Sequence, residues 1–415
     1  MSKFEFLHAA DLHLDSPLRG LARRGVRAGA FVEASRRALE RLVTEAIDRD
    51  VAFVVIAGDI YDGDWRDYAT GHFFVREMGR LARAGVRVFI LRGNHDAESV
   101  VTRSLILPSN VHSFSVRHVE SVRMDELRVV LHGRGFAHRH VEDNVALTYP
   151  QAVPGFFNIG VLHTSLNGRD GHDVYAPCSI EDLRRTGYDY WALGHVHCRE
   201  IVAERPAIVY PGNLQGRHAR ETGAKGATLV GVVDGRIENI EAVCLDAARF
   251  DHVTVDLSGI SERSAMIAAA REGIGAAHRA ADGRPLALRI TLAGATPLHS
   301  RLAAHPEQNE EDMQALASEI GEDILIEKLC NAATPLDVTT RSALVGLDEI
   351  LSAVAIDPAF RTDVAATLAS LRVKAPVEAL RLLGAEDGDG SDVAIRLATE
   401  TILAALDDAG SGAAS

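Results

Sequence analysis

Five largely apolar runs in the first half of the chain each stop abruptly at polar residues, and this pattern limits the fold more than any other feature. Phe4 to Ala10 stops before Asp11, Val51 to Ala57 before Gly58-Asp59, and Val86 to Leu91 just before Gly93-Asn94-His95-Asp96. Phe157 to Leu162 stops before His163, and Tyr190 to Leu193 before Gly194-His195. Runs of this length, rich in Val, Ile and Phe, suit strands buried on both faces. Between the first three runs the periodicity is helical. Phe31, Ala34, Ala38, Leu42 and Ala46 share one side of 31–47, and 73–81 continues in the same style. Strand and helix in alternation predict a layered α/β domain, with ligands gathering at the carboxyl ends of the strands.

A second region begins near Phe250. Strands are expected over 252–257 and 286–292, helices over 261–280 and 309–320, and the apolar Ile324 to Leu329 follows. This reads as a small α+β capping domain over 248–335, after a first domain over 1–247. A helical region follows over 336–409, through 344–354, 359–371 and 377–383, with a flexible break at Glu386 to Ser391. Asp392 is expected to cap a last helix reaching Leu406, and 410–415 to form a disordered tail.

The polar residues at the strand ends are metal-ligand types: Asp11, His13, Asp59, Asn94, His163, His195 and His197, with His95 and Asp96 beside Asn94. In an extended strand, residues i and i+2 point the same way, so Asp11/His13 and His195/His197 are expected to act as chelating pairs. Imidazole, carboxylate and one amide without thiolate favour Mn, Fe or Zn over Ca or Mg alone. The set is too large for one tetrahedral ion and suits two ions sharing a carboxylate about 3.5–4 Å apart, with Asp59 the natural bridge. Each piece alone has a bland reading: Gly-Asp as a turn, Asn94 as a cap, His163 as a core histidine. Their joint occurrence at successive strand ends carries the inference.

The order D-x-H, G-D, G-N-H-D, a lone H and G-H-x-H resembles the calcineurin-like metallophosphoesterases. The fuller stretches HAADLHLDSPL (8–18) and AGDIYDGD (57–64) are similar to the bacterial SbcD/YhaO branch of DNA-repair exonucleases. The resemblance covers roughly residues 1–245 and implies a metallophosphoesterase sandwich, sheets flanked by helices. It further implies that Asp11, His13, Asp59 and His197 hold one ion and that Asp59, Asn94, His163 and His195 hold the other. Manganese is then the expected metal, with Fe, Zn or Mg as alternatives, and His95 stabilises or protonates the departing oxygen. Asp96 is a candidate to orient that imidazole. Where archaeal and eukaryotic repair nucleases carry a His three residues after the bridging Asp, this chain has Asp62, open as a partner of His95 or as the start of a turn with Gly63.

Two basic stretches are candidates for phosphate contact. One is 132–140, with Arg134 and Arg139, whose bland reading is a solvated loop. The other is the glycine-rich 210–226, with Arg217, His218, Arg220 and Lys225, whose bland reading is a structural hairpin. A net charge of −14 argues at first against so acidic a partner as DNA, but residues 301–415 carry 8 basic and 21 acidic residues and so −13 of it.

The expected activity is a two-metal DNA exonuclease in double-strand-break repair. By the resemblance its C-terminal helices dock an SMC-like coiled-coil ATPase of SbcC type, and the first domain forms a homodimer. A phosphomonoesterase or small-nucleotide phosphodiesterase with the same centre is the alternative, and a scaffold with a vestigial site is the non-enzymatic one. Four dispersed cysteines, Cys178, Cys198, Cys244 and Cys330, and no long apolar segment lead to the expectation of a cytoplasmic protein without a membrane span.

Overall fold

The computed structural model describes residues 3–16, 18, 21, 29–62, 68–96, 105–166, 175–336, 347–374 and 390–412. Strands β1 (Lys3–Ala9), β2 (Phe53–Ile56), β3 (Arg87–Ile90) and β4 (Val111–Ser113) lie side by side and parallel. A second sheet takes β5 (Glu120–Met124), β6 (Val129–Gly133), β7 (Phe157–His163), β8 (Tyr190–Gly194), β9 (Glu200–Glu204) and β10 (Ala207–Tyr210), in the order β5-β6-β7-β8-β10-β9. The chain then returns to the first sheet with β11 (Gly226–Val233) and β12 (Arg236–Cys244), completing the order β12-β11-β1-β2-β3-β4.

The apolar runs are continuous because both faces of each sheet are covered. Phe4, Phe6, Phe53, Val55 and Phe89 of the first sheet meet Leu131, Ile159, Val161, Tyr190 and Val209 of the second. Phe6 stacks on Phe53 with ring centroids 4.9 Å apart and meets Tyr190 edge-on at 5.4 Å. On the far side, Leu7, Ala9, Val54 and Ile56 pack against Leu42 and Val43 of the helix Ala34–Asp48 and Phe74 and Met78 of the helix Tyr68–Arg83. The second sheet is covered likewise, with Trp191, Leu193 and Ile208 against Tyr149 and Leu183. Helix, sheet, sheet and helix form a layered α/β sandwich whose parallel central strands end on one side.

One stretch departs from expectation. His132 belongs to β6 and is fully buried, bonded to Ser121 Oγ (2.8 Å) and Asn158 Oδ1 (3.2 Å) and stacked on Tyr188. The strand extends into what reads as a polar loop because Ser121 and Asn158 satisfy both ring nitrogens.

The chain divides into two compact units, one of Met1–Asp251, His278–Leu288 and Asp323–Glu327, the other of His252–Ala277, Arg289–Glu322 and Lys328–Ser415. A three-stranded sheet runs in the order β13 (Arg249–Asp256), β14 (Leu286–Ala295) and β15 (Ile324–Thr334). Within the second unit Met266, Ala270 and Ile274 line the buried side of the helix Arg263–Ala280, and Met313, Leu316 and Ala317 that of Pro306–Ile320. The helices Leu347–Ile356, Pro358–Lys374 and Ser391–Gly412 follow. The helix expected over 377–383 lies outside the described residues. Asp392 sits in the first turn of the last helix with its carboxylate on Arg361, not at a cap, and that helix runs through 410–412, beyond the expected start of the tail. The Ala- and Leu-rich sequence before these residues makes each further turn cheap once the helix exists.

Candidate metal centre

The strand ends do not present their ligands as an extended chain would. β1 and β2 stay paired beyond their last strand residues, with the amides of Asp11, His13 and Leu14 donating to the carbonyls of Gly58, Asp59 and Ile60 at 2.9–3.0 Å. Along this path Asp11 (φ 52°), His13 (φ 42°) and Asp59 (φ 52°) adopt left-handed backbone, and His195 after β8 has φ 100°. The i, i+2 pairs therefore converge through tight turns and not through strand alternation. Such conformations cost about 1–3 kcal/mol each and persist only where surrounding bonds hold them. Gly93 makes the crossing next to Asp59 feasible: a Cβ there would lie 2.2 Å from Asp59 Oδ1.

Asp59 sits at the middle of the cluster. Its Oδ2 is 3.8 Å from His13 Nε2 and 3.4 Å from His163 Nε2, while its Oδ1 accepts the backbone N–H of His95 at 2.9 Å. To one side, His13 Nε2 faces His197 Nε2 at 3.2 Å, with Asp11 Oδ1 4.0 Å from His197. To the other, His163 Nε2 lies 2.8 Å from Asn94 Oδ1, and its Nδ1 bonds the Ala57 carbonyl at 2.9 Å. His195 joins this side by its ring, 5.2 Å from that of His163, and its backbone N–H donates to Asp11. All the strand-end residues named from sequence thus meet in one place, across both sheets.

Burial sets the electrostatics. It pushes the Asp11 carboxyl up and the His13 imidazole well down. It also opposes the charged forms of Asp59 and His163, but their attraction prevails, so Asp59 is lowered and His163 is raised to about 9. Ligand atoms of Asp11, His13 and His197, of His13, Asp59 and His95, and of Asp11, Asp59 and His163 each lie within 4.8 Å of one another. His13 Nδ1 is buried without a hydrogen-bond partner, and the Nε2 atoms of His13 and His197 face each other across 3.2 Å beside the Asp11 and Asp59 carboxylates. Divalent cations would suit this arrangement, since every one of these groups can act as an electron-pair donor to them. The donor set, oxygen and imidazole nitrogen without sulfur, fits Mn, Fe or Zn.

A ring of polar groups holds the ligands, and the structure divides the roles of the two remaining Asp residues. Asp96 accepts the backbone N–H groups of Ile60, Tyr61 and Gly93 at 3.0–3.1 Å and so ties the β2 and β3 loops together; it does not face an imidazole. Burial, with the charge of Asp59, pushes its carboxyl up to about 6. Asp62 is the residue against His95, with Oδ1 3.1 Å from Nδ1, and it takes a 2.6 Å bond from Ser16 Oγ. Although burial works against a charged imidazole, the bond to Asp62 raises the pKa of His95.

Three participants are absent from the sequence reading. Glu221 lies 2.7 Å from His197 Nδ1, Asn213 donates to Glu221, and Tyr175 stacks on His195. Only the position of Glu221 and Asn213 within the flagged stretch 210–226 hinted at the first two. Arg217 stands between Asp62 Oδ2 (3.7 Å) and Glu221 Oε1 (3.5 Å). The ligands open on a cleft of about 520 Å³ whose walls include Arg217, His218, Arg220 and Lys225. Arg134 and Arg139 do not line it.

Replacing Gly93 with Ala should drive a methyl group into Asp59 and cut the bound divalent metal, read by elemental analysis after equilibration with Mn. Far-UV circular dichroism should stay unchanged. Full metal content in the variant would contradict the arrangement.

The calcineurin-like phosphoesterase family matches residues 4–199, and the family described as the middle domain of metallophosphoesterase YhaO matches residues 250–334. An uncharacterized metallophosphoesterase YhaO of Bacillus subtilis (strain 168) is 34% identical over 302 residues, covering 72% of this chain and 73% of that protein. The DNA double-strand break repair protein Mre11 of Methanopyrus kandleri is 27% identical over 225 residues, covering 50% of this chain and 48% of that protein. Its namesake in Sulfurisphaera tokodaii is 23% identical over 278 residues, covering 63% and 68%. With the strand-end residues gathered as they are and a relative this similar along most of both chains, the protein belongs to the calcineurin-like metallophosphoesterases of the YhaO type, metal-dependent hydrolases of phosphate esters.

Proposed function

We propose that the protein is a DNA exonuclease that hydrolyses phosphodiester bonds with two divalent ions, manganese foremost, and that it acts in cytoplasmic repair of double-strand breaks. The observation that carries the reading is the basic wall of Arg217, His218, Arg220 and Lys225 along the cleft that opens on the ligands. A phosphodiester strand presents phosphates beyond the scissile one, and such a wall suits them. The similarity to Mre11 repair proteins supports the same substrate class.

Asp11, His13, Asp59 and His197 would hold one ion, and Asp59, Asn94, His163 and His195 the other. When bound, the ions supply positive charge to the phosphoryl oxygens and a nucleophile at neutral pH. The chain's own residues do the rest. Asp62 fixes Nδ1 of His95, so Nε2 is the atom that delivers a proton to the departing oxygen. Arg217, held between Asp62 and Glu221, is placed to meet a non-bridging oxygen, and His218 stands more openly at the rim.

With Mn the protein should release nucleotides from linear DNA and lose this activity in EDTA. His95→Asn should lower turnover about 100- to 10,000-fold with its metal retained. Release of phosphate from a simple monoester but never nucleotides from DNA would contradict the reading, as would a fully active His95→Asn variant.

We further propose that the C-terminal helices dock an SMC-like coiled-coil ATPase, with the protein as a homodimer. Ile350, Val354, Ile356, Phe360, Leu371 and Leu397 are large apolar residues exposed on these helices, a surface suited to a helical partner. Charged replacements at Ile356 and Phe360 should abolish co-purification with the ATPase and leave Mn-dependent hydrolysis intact; unaltered co-purification would remove the docking role.

A further inference from the structure

Among the imidazoles of the centre, His163, His13 and His197 have their outward-turned Nδ1 atoms held in unequal ways. His163 Nδ1 lies 2.9 Å from the neutral Ala57 carbonyl. His13 Nδ1 has no hydrogen-bond partner, and the nearest carboxylate oxygen of Asp62 stands 3.8 Å away. His197 Nδ1, by contrast, lies 2.7 Å from Glu221 Oε1. Arg217 Nη2 also lies 3.3 Å from this nitrogen, but the carboxylate is the shorter contact and only accepts, which favours the tautomer with the proton on Nδ1 and leaves the lone pair of Nε2 to face His13 and Asp11.

Glu221 is itself fixed. Its Oε2 accepts from Asn213 Nδ2 at 2.9 Å and from the backbone N–H of Arg217 at 2.7 Å, and the residue is 7% exposed. Asn213 is anchored in turn, with its backbone N–H on the carbonyl of His197 and its side-chain amide on that of Gln215. The loop between β10 and β11 thus folds back on the turn that carries His197 and delivers a carboxylate to the outer edge of its ring.

We propose that Glu221 is a positioning residue of the metal centre, which sets the tautomer and orientation of His197 and thereby supports the ion held with Asp11 and His13 more than the one held with Asn94 and His163. The inference rests on the two-ion reading of the site. A charged partner on the outer nitrogen of a ligating imidazole raises its basicity, and losing one ordinarily weakens a site about 10- to 100-fold. Because Glu221 also takes the backbone and faces the guanidinium of Arg217, it fixes a cleft-lining cation with the same two oxygens.

The test is titration of full-length, metal-free protein with Mn, following free Mn by electron paramagnetic resonance, for wild type, Glu221→Ala and Glu221→Gln. Wild type should bind two ions. Glu221→Ala should bind one as before and the other about 10- to 100-fold more weakly. Glu221→Gln, which keeps an oxygen to accept from Nδ1, should lie between them with the thermal stability of the metal-free protein unchanged. Two wild-type affinities in either variant would overturn the inference. So would equal weakening of both ions in Glu221→Gln together with a less stable metal-free protein, the mark of a merely structural role. Fewer than two ions on wild type would overturn the two-ion reading itself.

Discussion

The architecture of the site turns on one buried carboxylate, Asp59. It is 1% exposed, lies in left-handed backbone, and has one oxygen held by the amide of His95 while the other stands between His13 and His163. A carboxylate taken out of water needs compensating charge, and imidazoles that are to bind metal as neutral donors would supply it poorly. Divalent cations beside Asp59 would satisfy it without protonating a neighbouring imidazole. The surrounding structure follows from that need. Asp96 clamps the loops that carry Asp59 and Asn94, Gly93 lets them approach, and the sheet edges supply the directions from which the imidazoles arrive.

The same sandwich explains why these loops can be strained. β1, β2 and β3, with β7 and β8 opposite, are buried on both faces, so their ends are fixed by apolar packing before any ligand is placed. Turns costing about 1–3 kcal/mol each are tolerable when attached to so rigid a base. The acidity of the chain lies elsewhere. Residues 301–415 carry −13 of the −14 net charge, which leaves −1 for residues 1–300, so the cleft, with arginines and a lysine at its wall, belongs to a nearly neutral part of the chain.

Much of this was legible in the sequence, for identifiable reasons. Asp11, Asp59, Asn94, His163 and His195 were recognisable because a doubly buried strand must end somewhere, and ligand-type residues at successive ends are hard to explain as turns. Backbone geometry was not legible: Asp11 and His13 meet through left-handed turns, although alternation along a strand would also have brought them together. The roles of Asp62 and Asp96 could not be assigned from spacing, since whether a carboxylate meets an imidazole or a row of amides depends on how the β2 loop crosses the β3 loop. Glu221, 24 residues after His197, became visible only once the loop after β10 was seen to fold back. His132 read as loop because its two polar partners, Ser121 and Asn158, lie on neighbouring strands.

Diffraction from Mn-equilibrated crystals at the manganese absorption edge tests the role of Asp59 most directly. Two anomalous peaks should appear, one beside Asp11, His13 and His197 and the other beside Asn94, His163 and His195, with the Asp59 carboxylate ligating both. A single peak, or two peaks that Asp59 does not join, would contradict the shared-carboxylate centre.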